Sequence, residues 1–177
     1  RRMNDSLAHR GPDDKGEFID NKMQVGIAMR RLSIIDLTSG HQPMSNEDES
    51  LLIVFNGEIY NSLSLRQELI SKGHKFKSHH SDTEVLIHLY EEKGPGMVGD
   101  LNGMFSFVIY DRKKKLLFGS RDRMGIKPLY YTQSQGKFFF ASEIKALLLV
   151  GQVSKEINFQ SLYDYMSFQF IPAPDSI

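Results

Sequence analysis

The run Leu51-Leu52-Ile53-Val54-Phe55 constrains the fold of this chain more than any other segment, because five successive apolar residues leave no face for water. Such a run predicts a strand buried on both sides. It stops abruptly at Asn56-Gly57-Glu58, followed by Ile59-Tyr60-Asn61. Asn and Gly accept positive φ at little cost, so the pair predicts a tight turn where the strand ends. An ordinary exposed hairpin has no reason to crowd polar groups at the end of a buried strand. A side-chain amide and the next backbone N–H, held on a rigid element, can converge as two donors on a developing oxyanion.

A second strand is predicted where Val25, Ile27 and Met29 alternate with Gly26, Ala28 and Arg30, with Leu32, Ile34 and Ile35 continuing it. Arg31 sits between these apolar stretches. Its planar fork suits bidentate capture of a carboxylate, which lysine reproduces poorly. Residues 38–43 read as a loop. A helix is expected from Leu63 to Lys72, stopped by Gly73, and a short strand from Lys75 to Ser78. Ser81-Asp82-Thr83-Glu84 has capping-box spacing ahead of an apolar face made by Val85, Leu86, Leu89 and Tyr90. With Ser81 as the cap, Asp82 is left to point outward, where it can pair with an ammonium group. Strand pairs are expected at 104–110 with 116–120, and at 129–132 with 137–141. Ser142 and Asn158 are candidate caps for two further helices, the first over 143–150. Strands at hairpin spacing with amphipathic helices predict an α+β arrangement of antiparallel sheets covered by helices.

Composition excludes several classes. The 177 residues carry equal numbers of acidic and basic side chains, which argues against nucleic acid or a membrane surface as a partner. No apolar run is long enough to cross a bilayer. There is no cysteine, so no disulfide framework exists, and a cytoplasmic location is expected. His79-His80 with Asp82 and His88 form the one candidate ligand group. Adjacent histidines on an extended segment point to opposite sides, so no metal site is expected. Arg1-Arg2-Met3-Asn4 and the Pro-punctuated stretch after Phe170 read as cut ends of a longer chain.

Several motifs resemble one family. They are His9-Arg10-Gly11-Pro12-Asp13, Arg31-Leu32-Ser33-Ile34-Ile35-Asp36, Gly40-His41-Gln42-Pro43, Phe55 to Asn61, Ser81 to Glu84, Gly103 to Phe107, Arg121 to Tyr131 and Ala141 to Leu147. Together they resemble the glutamine amidotransferase domain of glutamine-hydrolysing asparagine synthetases. The resemblance implies the N-terminal-nucleophile hydrolase fold, a four-layer αββα sandwich of two antiparallel sheets. It places the glutaminase domain at residues 1–165 and a linker toward an ATP-dependent synthetase domain at 166–177. It implies that an N-terminal cysteine attacks the glutamine side-chain amide, with its own α-amine as base, and that ammonia leaves for the amidation of aspartate. By resemblance, Asn56 and Gly57 form the oxyanion hole, Arg31 holds the α-carboxylate, and Glu58 and Asp82 hold the α-ammonium. Leu32, Ser33, Ile34 and Ile35 line the pocket.

No cofactor is implied for this domain. ATP and Mg2+ are implied for the synthetase domain, with aspartate as acceptor and a homodimer as a possible assembly. The chain departs from the family in having no cysteine, so these 177 residues alone are expected to be inactive toward glutamine. Rival readings are a catalytically dead module that binds glutamine or a partner, and a glutaminase serving a different acceptor.

Overall fold

The computed structural model describes residues 1–32, 40–78, 80–151 and 153–176. Its central sheet has the order β3-β4-β5-β6, from β3 (Met44–Ser45), β4 (Leu51–Ile59), β5 (Gly103–Asp111) and β6 (Leu116–Arg121), all antiparallel. β4 is the buried run expected from sequence, and both of its faces are covered. Leu51, Ile53, Phe55 and Ile59 pack with Phe105, Phe107 and Ile109 against two helices, α2 (Ser62–Ser71) and α3 (Asp82–Lys93). Those helices contribute Leu65, Leu69, Val85, Leu86 and Leu89. Leu52, Val54, Val108 and Tyr110 face the other way. Burying each such side chain contributes about 1.5–3 kcal/mol, so a strand covered on both faces anchors the molecule.

On that second face lie two hairpins. β1 (Asp14–Asp20) pairs with β2 (Val25–Arg31), and β7 (Tyr130–Ser134) pairs with β8 (Lys137–Ala141). Ile27, Phe18, Met29, Leu129 and Phe140 meet the central sheet there. Behind the hairpins, α1 (Arg2–Asp5) and α4 (Ile144–Leu147) close the outer side, where Ala146 and Leu147 pack with Met3, Leu7 and Phe139. The layers therefore run helix, sheet, sheet, helix. A last helix, α5 (Phe159–Phe168), is capped by Asn158 Oδ1, which accepts from the Gln160 and Ser161 N–H groups at 3.1 and 3.2 Å. No helix among the described residues is long and apolar enough to cross a membrane.

Several expectations are corrected. Asn56-Gly57 is not a turn, because β4 runs on through both residues to Ile59, with Asn56 opposite Ser106 and Gly57 opposite Phe105. β5 supplies a partner for the whole length, and that continuous ladder outweighs the local turn preference. Lys75 to Ser78 forms no strand. Its backbone N–H groups at Lys77 and Ser78 donate to the Glu84 carboxylate at 2.6 and 2.9 Å. This also halves the capping box. Ser81 Oγ accepts from the Glu84 N–H at 3.3 Å, but the Glu84 side chain turns to the preceding loop and to the Ser78 hydroxyl instead of the Ser81 N–H. Ser142 does not cap α4, which begins after Glu143 and is half the expected length. The strand through Val25 ends at Arg31 and does not include Leu32, and residues 33–39 lie outside the described residues.

Candidate functional site

The inner faces of the two sheets both change from apolar to polar in sequence order. On β4, Leu52 and Val54 are followed at two-residue spacing by Asn56 and Glu58, and on β2, Val25, Ile27 and Met29 are followed by Arg31. Asp82 opens α3. Arg31, Leu32, Asn56, Gly57, Glu58 and Asp82 all line one cleft of about 1490 Å3, together with Gly40, Gln42 and Ser106. The cleft continues between the sheets over Ile27, Val54, Leu129 and Phe140. Of the residues named from sequence as pocket-lining, Ser33, Ile34 and Ile35 lie outside the described residues. Leu32 is half exposed at the rim.

The register of β4 decides where its backbone groups point. In an antiparallel ladder, alternate residues turn their N–H and C=O toward the partner. Tyr60 N–H donates to Asn102 O at 2.8 Å and Arg112 N–H to Ser50 O at 2.9 Å, so the even-numbered residues of β4 face β5. The N–H groups of Phe55, Gly57 and Ile59 therefore point to the opposite edge. β3 covers that edge only opposite Leu52 and Ile53. Beyond it side chains take over. Gln42 Oε1 accepts from Phe55 N–H at 2.7 Å, and Asp82 Oδ2 accepts from Ile59 N–H at 3.2 Å. The Gly57 N–H lies between these two. Glycine is required at 57 because φ is +154° and a Cβ would overlap the Met104 carbonyl oxygen.

Arg31 is held by glycines on both sides. A Cβ at Gly11 would strike the backbone at Arg30 and Arg31, and a Cβ at Gly40 would strike the Arg31 guanidinium. Asp13 N–H donates to Arg31 O at 3.2 Å. The charged loop that opens with His9 is thus a brace for the end of β2. Its outer side is tied to α4 by His9 Nε2 and Arg10 Nη1, at 2.9 and 3.3 Å from Glu143 Oε1. The His9 bond, with help from Lys145 and Arg10, holds the Glu143 carboxyl below the usual range.

Asp82 is the perturbed acid of the cleft. Burial, and then the like charge of Glu58, push it up to about 6, against the pull of backbone N–H donors at Ile59, Thr83 and Asp82 itself. The site thus sets one guanidinium on β2 against two carboxyl groups on β4 and α3, with an amide and an edge N–H nearby. Such an arrangement suits a small zwitterion that also carries a polarisable carbonyl.

Sequence reasoning gave no role to Gln42, Gly11, Gly40 or Asp122. Gln42 is buried, and its Nε2 also donates to Thr83 Oγ1 at 3.4 Å, linking β4 to α3. Burial pushes the Asp122 carboxyl up, but N–H donors that include Lys127, Ile126 and Phe105 outweigh it and hold the acid below its usual value. The signal for Gln42 was a glutamine beside proline in the Gly40 to Pro43 motif. Nothing local to Asp122 foretold its role.

The sequence profile described as a glutamine amidotransferase domain matches residues 1–177. The chain is 48% identical over 177 residues to glutamine-hydrolysing asparagine synthetase 1 of Bacillus subtilis strain 168, covering all of this chain and 27% of that protein. It is 42% identical over 195 residues to putative glutamine-hydrolysing asparagine synthetase 2 of Methanocaldococcus jannaschii, covering 99% of this chain and 37% of that protein. The chain therefore spans about a quarter to about a third of these two relatives. Among solved structures it is similar to glutamine phosphoribosylpyrophosphate amidotransferase from B. subtilis, complexed with ADP and GMP. That match has a TM-score of 0.64 at 24% identity over 85% of this chain and 40% of the other. A second structure, an allosteric regulatory enzyme of purine biosynthesis, matches with a TM-score of 0.59 at 27% identity over 72% of this chain and 30% of the other.

Proposed function

This chain belongs to the glutamine amidotransferase domain family, and from that premise we propose that its cleft binds glutamine and stabilises hydrolysis of the side-chain amide. The observation that carries the reading is the meeting of Arg31, Glu58, Asp82, Asn56 and Gly57 around one cavity, although β2, β4 and α3 are far apart in sequence. Arg31 takes the α-carboxylate, and ionised Asp82 with Glu58 takes the α-ammonium. The side-chain carboxamide then reaches Asn56 and Gly57.

Attack by a thiolate on the carboxamide carbon places a negative charge on its oxygen. The Asn56 amide N–H and the Gly57 N–H are proposed to donate to that oxygen. The proton removed from the thiol passes to the nitrogen as the intermediate collapses, the C–N bond breaks and ammonia leaves, and water then cleaves the thioester to glutamate and the free thiol. None of the 177 residues is a cysteine, so the thiol must be supplied from outside them. We place the glutaminase unit at residues 1–165 and a connection to a second domain at 166–177. α5 crosses that boundary and exposes Phe159, Tyr163 and Met166 on one side, an apolar face that favours a neighbouring domain. ATP, Mg2+ and aspartate are assigned to that second domain, with ammonia as the shared intermediate, and no residue of this chain is given a role toward them.

The test is Asn56→Ala in the full-length protein. Loss of one oxyanion donor lowers kcat for ammonia release by about 100–1000-fold, with little change in KM. Unchanged turnover refutes the oxyanion assignment.

A further inference from the structure

A second cluster lies outside the glutamine cleft, where the loop after α2 meets α3. His74 Nδ1 and His88 Nδ1 are 3.1 Å apart. Both face Glu91 Oε2, at 3.5 Å from His74 Nδ1 and 2.8 Å from His88 Nδ1. From this geometry we propose that His74, His88 and Glu91 form a binding site for one divalent transition-metal ion of the zinc class.

Three observations support it. The first is spacing. Zinc binds imidazole nitrogen and carboxylate oxygen at about 2.0–2.2 Å, so ligand atoms around a tetrahedral ion stand about 3.3 Å apart. The three edges here are 2.8, 3.1 and 3.5 Å. They leave a fourth position open for water.

The second is the outer partners. His74 Nε2 is 3.0 Å from Glu92 Oε1, and His88 Nε2 is 3.9 Å from Glu47 Oε1. At His74 the carboxylate on the far nitrogen draws the proton there and leaves Nδ1 as a lone-pair donor, the arrangement that orients metal-bound histidines. The remaining Glu91 oxygen, Oε1, accepts from Asn46 Nδ2 at 2.7 Å. His74 and Glu91 are therefore each fixed by a hydrogen bond from outside the cluster, while His88 has the Glu47 carboxylate only within ion-pair range.

The third is the proton inventory. In the tautomer that carries both protons on Nε2, two nitrogen lone pairs and a carboxylate oxygen converge without a donor among them. His88 is 2% exposed, and Phe76 lies edge-on to its ring at 4.6 Å between centroids, so water has little access on that side. A cation satisfies all three acceptors at once. Imidazole with carboxylate suits zinc, cobalt and nickel better than calcium or magnesium. His88 and Glu91 are one helical turn apart on α3, while His74 follows α2, so the ion would tie the loop between these helices to the second of them.

The experiment uses full-length protein freed of metal with a chelator, then titrated with Zn2+ by calorimetry and with Co2+ by visible absorption. The wild type binds one more equivalent of Zn2+ than His74→Ala, and its Tm rises with Zn2+ while that of His74→Ala does not. Glu92→Gln, which within the cluster touches only the far nitrogen of His74, weakens this equivalent by about 10–100-fold. His74 is on a loop and partly exposed, so its variant folds, which unchanged circular dichroism confirms. An unchanged stoichiometry and Tm response in His74→Ala, or no stoichiometric binding in the wild type, overturns the proposal and leaves a hydrogen-bonded histidine pair.

Discussion

Asp82 offers the sharpest test of how the cleft reads an amino acid. Its carboxyl is pushed up to about 6 from 3.8, by burial first and by Glu58 next. At pH 7 roughly nine in ten Asp82 groups are ionised and at pH 5 roughly one in eleven, so the form that can pair with an ammonium falls about tenfold. A hydrogen bond to a charged group contributes about 1.5–3 kcal/mol, or about 10–150-fold in affinity, which is enough to express most of that loss. The ratio of kcat/KM for glutamine between wild type and Asp82→Asn should therefore fall about 6–9-fold from pH 7 to pH 5. Taking the ratio removes any titration common to both proteins, including that of the nucleophile. The assay is ammonia release by the full-length enzyme across this range. Glu58→Gln should move the inflection to lower pH, because one of the two effects raising the acid is gone. The sign for stability is opposite. A carboxyl raised in the fold stabilises it at low pH, and the contribution disappears as pH rises through about 6. Holding the acid at about 6 instead of 3.8 costs the fold about 3 kcal/mol at neutral pH. Asp82→Asn should then make the ligand-free protein more stable at pH 7 while it binds glutamine less well. A ratio that does not change with pH, or a glutamine KM unaffected by Asp82→Asn, refutes the assignment of Asp82 to the ammonium.

Arg31→Ala should raise the glutamine KM and leave ammonia-dependent synthesis by the full-length protein intact; equal loss of both would indicate misfolding rather than a lost carboxylate contact. Gly57→Ala should destabilise by about 2–4 kcal/mol, from backbone overlap and positive φ together, and a variant that melts with the wild type would remove Gly57 from the strand. Gln42→Leu strands the buried Phe55 N–H and should cost about 1–3 kcal/mol in thermal or chaotrope unfolding, whereas Gln42→Glu, which keeps an acceptor, should recover much of it. If Leu and Glu are equally harmful at 42, packing rather than the hydrogen bond is responsible.

What the sequence revealed depended on how local the cause was. The buried run at Leu51 to Phe55, the Asn158 cap and the two later hairpins rest on patterns within a few residues, and each forms as expected. The turn expected at Asn56-Gly57 failed because β5, more than forty residues on, holds the pair in a ladder. The strand expected at Lys75 failed because Glu84 takes the backbone donors it needed. The α+β class followed from pattern, but the four layers and the roles of Arg31, Asn56, Gly57, Glu58 and Asp82 came from resemblance, since no local spacing says that β2, β4 and α3 share a cavity. His88 was grouped with His79 and His80 from proximity in sequence. The helix instead turns it toward His74, which only the packing of α2 on α3 could reveal.

Among the described residues, the edge of β4 beyond Met44–Ser45 is met by side chains and not by another strand. A foreign polypeptide seeking to extend the sheet needs several consecutive main-chain donors, and Gln42 and Asp82 have already claimed those on either side of Gly57. Among the described residues this leaves one N–H between them, too little to template aggregation yet enough to hold a single carbonyl oxygen. A sheet margin built in this way can offer one donor to a ligand without offering a neighbour a strand to pair with.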